Sequence, residues 1–296
     1  LWFLKAYVFL CGSKKNCSTV TYPIVVSKAS GKTEPFSMQK LRRSLAKAQA
    51  SPEEIDTIIQ ALLPKLYQHI TTKKIYSEAF RMLRKRSRSN AARYNLKQGM
   101  LELGPTGFPF EKLMGEIFKQ QGYQVQIGVI LQGNCVTHEI DMLAEKDKEY
   151  LLMECKYRNL SGMTVDVKTP LYIKARFDDL LANKLVIKPD FSFSGWVATN
   201  ARFTEDAIVY GNCVGLRLIS WDYPRDHSLR DLIDHSGLYP LTCLTTLTLH
   251  EKQWLLAKDF ILAKELSENR PILLKAGVKE ARLKSVLEEI RKLCGK

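Results

Sequence analysis

Seven cysteines are spread over 296 residues, at positions 11, 17, 135, 155, 213, 243 and 294, and no two of them form a Cys-x-x-Cys pair. Without such pairs there is no zinc ribbon and no dithiol redox motif, and an odd number of scattered thiols fits a reducing compartment rather than a disulfide framework. The chain also lacks a long apolar run. Its opening "LWFLKAYVFL" is interrupted by Lys5, and the basic pair follows it instead of preceding it, so neither a membrane span nor a signal peptide is expected. A soluble, cytoplasmic protein without a membrane partner is the expectation, with residues 1–22 left out of the fold. No internal repeat or low-complexity tract appears.

Acidic residues are in short supply: 31 Asp and Glu against 45 Lys and Arg give a formal charge of +14. Such an imbalance points to a polyanionic partner, with nucleic acid first in line, although a solvated basic surface would look the same. A hydrophobic content of 45% supports a real core and argues against disorder.

Local signals divide the chain. "IVVSKASGKTEPF" has apolar ends around a Ser-Gly-Lys turn and predicts a hairpin. Helical spacing follows: Phe36, Leu41, Leu45 and Ala48 behind Ser37 as N-cap, a capping box at Ser51-Pro52-Glu53-Glu54, and a helix opened by Thr71 and Thr72 with Ile75, Ala79, Phe80 and Leu83. A fourth helix is expected over about 90–100. "GPTGFP" at 104–109 breaks any regular element and marks a domain boundary. Beyond it come a helix stopped by Gly122, three strands, a helix over about 166–184, and strands at 195–200 and 216–221, each followed by helix. The expected divisions are 23–103, 104–240 and a helical tail, 241–296, in an α/β architecture.

The stretch "EIDMLAEKDKEYLLMECK" (139–156) places carboxylates inside strands, which is unfavourable unless something pairs with them. Side chains alternate along a strand, so Glu154 and Lys156 share a face, and an antiparallel partner at 137–144 would bring Asp141 to the same patch. Two carboxylates and an ammonium group suit phosphodiester hydrolysis. Asp141 and Glu154 would bind Mg²⁺, while Lys156 would orient a water or stabilise developing negative charge. The plainer alternative is a Glu–Lys pair on a solvated sheet face.

Residues 107–240 resemble the Mrr-like restriction endonucleases of the PD-(D/E)xK nuclease superfamily through "GFPFEKLMGEIFKQQGYQV", "HEIDML", "LLMECKY" and "WVATNARFTEDAIVYG". The resemblance implies a restriction-endonuclease-like αβββαβ core, metal-dependent cleavage of DNA, and a catalytic set of Asp141, Glu154, Lys156 and a helix carboxylate. Glu111 in "PFEKL" matches that last position, with Glu116 competing. "HEID" departs from the Gly-rich approach of many relatives, leaving Glu139 as a further outer carboxylate and His138 as a hydrogen-bonded surface residue. On the following helix, Lys168, Tyr172, Arg176 and Asp179 share a face. Lys168 and Arg176 are candidate DNA contacts, or this is an ordinary solvated stripe.

Residues 24–100 resemble the ATP cone, a regulatory nucleotide-binding domain, through "VVSKASGKTEPFSMQKLRRSLAKA", "ITTKKIYSEAFRML" and the Ala-x-x-Tyr of "AARYNL". The resemblance implies ATP or dATP as an allosteric ligand, held by Val26, Lys28, Gly31, Lys32, Phe36 and Lys40. An Arg usual after the first Lys is Ala29 here, and the zinc ribbon that accompanies the cone in repressors is missing. The expected function is therefore a Mg²⁺-dependent DNA endonuclease sensing a nucleoside triphosphate. A catalytically silent nucleic-acid-binding regulator and a structure-selective repair or junction nuclease are the alternatives. A homodimer would supply the two active sites that a double-strand cut needs.

Overall fold

The computed structural model describes residues 23–29, 31–183 and 190–295, so residues 1–22 and Ser30 of the expected glycine turn lie outside the described residues. The chain forms two compact units, divided between Asn95 and Leu96.

In the first unit, β1 (Val25–Ser27) and β2 (Thr33–Pro35) make the hairpin, pairing Val26 with Glu34. Helix α1 (Met38–Lys47) is capped by Ser37, and α2 (Pro52–Leu62) opens on a complete Ser51/Glu54 capping box with Pro52 in its first turn. Strand β3 (Ile70–Thr71) lies parallel to β1, and Thr71 caps α3 (Thr72–Arg86). A two-residue strand has no period to read, which is why the sequence showed only the helix after it. The basic run 81–93 spans the end of α3 and α4 (Arg88–Tyr94). Within it, Arg81 pairs with Glu78, and Arg93 is buried. Leu41, Leu45, Ile55, Ile58, Ile59, Ala79 and Leu83 form the core under the hairpin.

The single helix expected over 90–100 is two. It breaks at Asn95, and α5 (Leu96–Leu101) belongs to the second unit. The compact units thus divide eight residues before the expected 103/104 boundary. The reason is packing: the Gly99 carbonyl accepts from Thr242 Oγ1 at 2.8 Å, and a Cβ at Gly99 would stand 2.6 Å from Cys243 Sγ and 3.0 Å from its backbone nitrogen. Gly99→Ala is therefore expected to destabilise this unit by about 1–3 kcal/mol, measurable as a lowered urea midpoint with unchanged slope.

The second unit has the order α6 (Phe108–Gln120), β4 (Gln124–Gln132), β5 (Thr137–Lys146), β6 (Glu149–Cys155), a short β7 (Thr164–Val165), α7 (Lys168–Ala182), β8 (Ser192–Ala198), a short β9 (Arg202–Phe203), α8 (Glu205–Cys213) and β10 (Arg217–Ile219). The large strands form one sheet, β10-β8-β6-β5-β4, and β7 pairs with β9 alone. Strands β4, β5 and β6 run antiparallel to their neighbours in that order, whereas β6, β8 and β10 are mutually parallel. The β5–β6 connection is a two-residue turn with Asp147 at φ +47° and Lys148 at φ +61°, the left-handed pair that a tight hairpin requires. β6 is buried along almost its whole length, as expected for a central strand covered on both faces. The α/β reading of the sequence, with a helical cone, a central sheet and a helical tail, describes this chain.

The tail continues with α9 (Leu229–Ser236), α10 (Leu249–Leu256), α11 (Arg270–Lys275) and α12 (Glu280–Cys294). It packs as part of the same compact unit, and Pro240 bridges to Leu262. Helices α11 and α12 make a short hairpin around Gly277 at φ +94°. α12 buries Leu283, Val286, Ile290 and Leu293, as a packing helix does. No helix among the described residues is long and apolar enough to cross a membrane.

Candidate active site

The register that pairs Met142 with Met153 sets Asp141 beside Glu154 across the two middle strands. Asp141 Oδ2 accepts the Cys155 N–H at 2.6 Å, which ties the two strand ends together at that point. Glu154 is only 4% exposed. Its carboxylate is held by Lys156 Nζ at 2.6 Å and by the Arg176 guanidinium at 2.8 Å. That pairing answers the cost of a carboxylate in a buried strand.

Glu111 comes from the first turn of α6, its Oε1 3.2 Å from where a Cβ on Gly107 would sit. Burial, then Asp141, Glu139 and Glu154, push its carboxyl up to about 7, against the pull of Lys156. A helix N-terminus favours the ionised form, so burial and three neighbouring acids outweigh the dipole here. Asp141 is raised to about 6, chiefly by burial and then by Glu154, although the Cys155 N–H, Lys156 and Arg176 oppose the shift. Glu116, the competing helix carboxylate, points elsewhere and pairs with Lys119 at 2.9 Å.

Four carboxylates thus gather here, and the cations paired with them are Lys156 and Arg176, both on Glu154. The excess negative charge is relieved either by protons on Glu111 and Asp141 or by a bound cation. Among the described residues, no three His, Cys, Asp or Glu side chains stand close enough together to hold a metal ion.

The linkage has a definite sign. Both groups bind protons more tightly folded than unfolded, so cation-free stability is expected to fall as pH rises from about 4 to 7, on the order of 1–2 kcal/mol in all after solvent screening. Thermal melts in EDTA across this range should show the loss, Asp141→Asn should flatten it, and Mg²⁺ at a pH of about 7.5, above both folded values, should restore stability.

The row on α7 does not behave as one stripe. Lys168 is exposed at the helix start. Arg176, expected to meet DNA, instead turns inward to Glu154 and donates to the Glu139 carbonyl, with Tyr172 beneath its guanidinium. Helix α7 packs on the Glu154 face of the sheet, so the shorter reach is to that carboxylate. Asp179 accepts from the Cys135 N–H at 2.8 Å and lies 2.7 Å from His138 Nε2, clamping the β4–β5 hairpin. His138 is thus hydrogen-bonded, as expected. No sequence signal pointed to Arg176 at Glu154, because the contact joins residues 22 positions apart through tertiary packing.

In the first unit, Val26, Phe36 and Lys40 line a cavity of about 180 Å³ together with Glu34, Tyr76 and Tyr94. Tyr76 and Tyr94 stack with ring centres 4.9 Å apart. Glu34 holds Lys28 at 2.6 Å and Lys40 at 3.1 Å and is drawn below the usual carboxylate range, first by Lys28 and then by Lys40. Gly31, at φ +78°, and Lys32 sit on the turn and do not line the cavity. Glu34, Tyr76 and Tyr94 were not among the residues expected to hold the nucleotide, although all three lie in the segments that carry the cone resemblance.

Comparison with known proteins matches one segment in each unit. Residues 24–93 match the ATP cone domain, and residues 239–294 match the family described as AF1548-like, C-terminal. A solved structure titled as a protein of unknown function, AF1548, superposes with a TM-score of 0.52 at 29% identity, covering 64% of this chain and 99% of that one. The MspJI restriction endonuclease in complex with a 27-mer oligonucleotide gives a TM-score of 0.33 at 11% identity over 80% of this chain and 48% of that one, too slight a likeness to argue from. An uncharacterised protein from Archaeoglobus fulgidus is 39% identical over 131 residues, 44% of this chain and 71% of that protein. With identity of that order over most of the relative's length, the chain belongs to the family of this archaeal protein.

Proposed function

We propose that the chain is a Mg²⁺-dependent DNA endonuclease of the Mrr-like PD-(D/E)xK type, controlled by nucleotide bound in its ATP cone. The observation carrying this reading is the meeting of Asp141, Glu154 and Lys156 at one end of adjacent strands, with Glu111 facing them from α6. Asp141 and Glu154 would hold Mg²⁺, which when bound polarises a phosphate and lowers the pKa of a water. Lys156 places a positive charge beside the reacting phosphate, where negative charge develops. Arg176 fixes the Glu154 carboxylate. Glu111, a carboxyl that exchanges its proton near neutrality, is suited to take or return a proton there.

In the cone, Tyr76, Tyr94 and Phe36 offer aromatic walls for a purine, and Lys28, Lys40 and Lys32 supply charge for a triphosphate. The testing experiment is nicking of supercoiled plasmid in Mg²⁺ or EDTA, with and without ATP and dATP. Mg²⁺-dependent nicks whose rate responds to nucleotide support the proposal, and nicking indifferent to nucleotide removes the gating. The pairing of Glu154 with both Lys156 and Arg176 favours a second reading, a DNA-binding regulator without catalysis. Binding of DNA without any nicking would select it. Linear, methylated and branched substrates compared in the same assay separate a restriction-like enzyme from a junction enzyme.

A further inference from the structure

Strand β6 ends at Cys155, but its pairing continues through side chains. Lys156 donates its N–H to the Ala198 carbonyl at 2.7 Å, as a parallel ladder requires, and its carbonyl then accepts from Thr199 Oγ1 at 2.6 Å. Two residues on, Arg158 donates its N–H to Asn200 Oδ1 at 2.8 Å, and its carbonyl accepts from Asn200 Nδ2 at 2.7 Å. The primary amide of Asn200 therefore takes the place of a peptide group on the neighbouring strand. Thr199 and Asn200 are both fully buried. The Asn200 backbone carbonyl is itself held by Lys97 Nζ at 2.6 Å, with that ammonium 4.4 Å from the Trp221 ring centre.

In a parallel ladder the residues that bond to one neighbour are every second one, and their side chains share a face. Lys156 and Arg158 bond in this phase, so Arg158 continues the face of Glu154 and Lys156. It differs from Lys156 and Arg176 in what balances its charge, since both of those pair with Glu154. Among the described residues no carboxylate lies within ion-pair distance of Arg158, its Nε is buried without a hydrogen-bond partner, and its Nη1 reaches only the Tyr157 carbonyl at 3.2 Å. A half-buried guanidinium without a counter-ion is suited to an incoming anion, and its fork geometry matches a phosphate.

We infer that Arg158 is a phosphate-binding residue of the candidate active site, held on the Glu154–Lys156 face by the Asn200 amide. This rests on the nuclease reading for the identity of the anion, a backbone phosphate of DNA.

The test is binding of full-length protein to a short fluorescein-labelled duplex in EDTA, followed by anisotropy over a range of salt concentrations. Arg158→Gln should weaken binding about fivefold near ~0.1 M salt and reduce the slope of log K against log salt by about 0.9, the loss of one phosphate contact. Arg158→Lys should keep the wild-type slope. Wild-type slope and affinity in Arg158→Gln would overturn the assignment while leaving the nuclease reading standing. A wild-type protein without affinity for the duplex would overturn both.

Discussion

Asp141→Asn is expected to lower Mg²⁺-dependent cleavage by about a thousandfold or more. The same substitution should leave DNA binding within about threefold and raise cation-free stability near neutral pH. These effects separate a functional residue from a structural one. The amide side chain of this variant retains an oxygen to accept the Cys155 N–H, so the strand contact survives. What disappears is a charge that burial and Glu154 oppose, which is why stability rises. A residue kept for packing would lose stability on substitution. The measurement is single-turnover cleavage of a labelled duplex alongside thermal melts in EDTA.

The largest stability effect is expected in the tail. Glu289 is 2% exposed, and its two oxygens accept four bonds, from the N–H and hydroxyl of Thr245, at 2.9 and 2.6 Å, and of Thr246, at 2.9 and 2.5 Å. Glu289→Ala would leave four donors facing a cavity, and the expected cost is on the order of 3–4 kcal/mol. Glu289→Gln should cost less but still destabilise, since its NH₂ would face donors. Urea unfolding followed through the second unit tests this. Glu251 offers a comparison: its carboxylate caps α10 through Thr248 and also takes both guanidinium arms of Arg282, at 2.5 and 3.0 Å. Glu289 has its threonine donors aligned by backbone, and these cannot swing out to water as a partly exposed arginine does.

Features with local causes were legible in the sequence. Ser37, Ser51 and Thr71 cap the helices expected of them, because an N-cap depends on residues three positions apart. The β5–β6 hairpin could be read because alternation and a short polar turn are also local. Elements defined by a distant partner could not be read: β3, β7 and β9 are two residues each and exist only through their pairing. The site divides along the same line. The strand face shared by Glu154 and Lys156 follows from alternation, whereas the choice of Glu111 over Glu116 depends on how α6 lies on the sheet. Spacing on α7 grouped Arg176 with Lys168, but only tertiary packing sends one to Glu154 and leaves the other in solvent. In the cone, Glu34 carried no signal of its own, because its grip on Lys28 and Lys40 depends on the Val26–Glu34 register and on α1 lying beside it.

If Asp141 and Glu154 hold a divalent cation as proposed, its binding displaces protons from the acidic cluster, and calorimetric titration of Mg²⁺ near pH ~6, in buffers of different ionisation enthalpy, reads both at once. Saturable binding that displaces about one proton per ion, abolished in Asp141→Asn, is the expected result. Binding of equal strength in that variant, or no binding by the wild type, would contradict it.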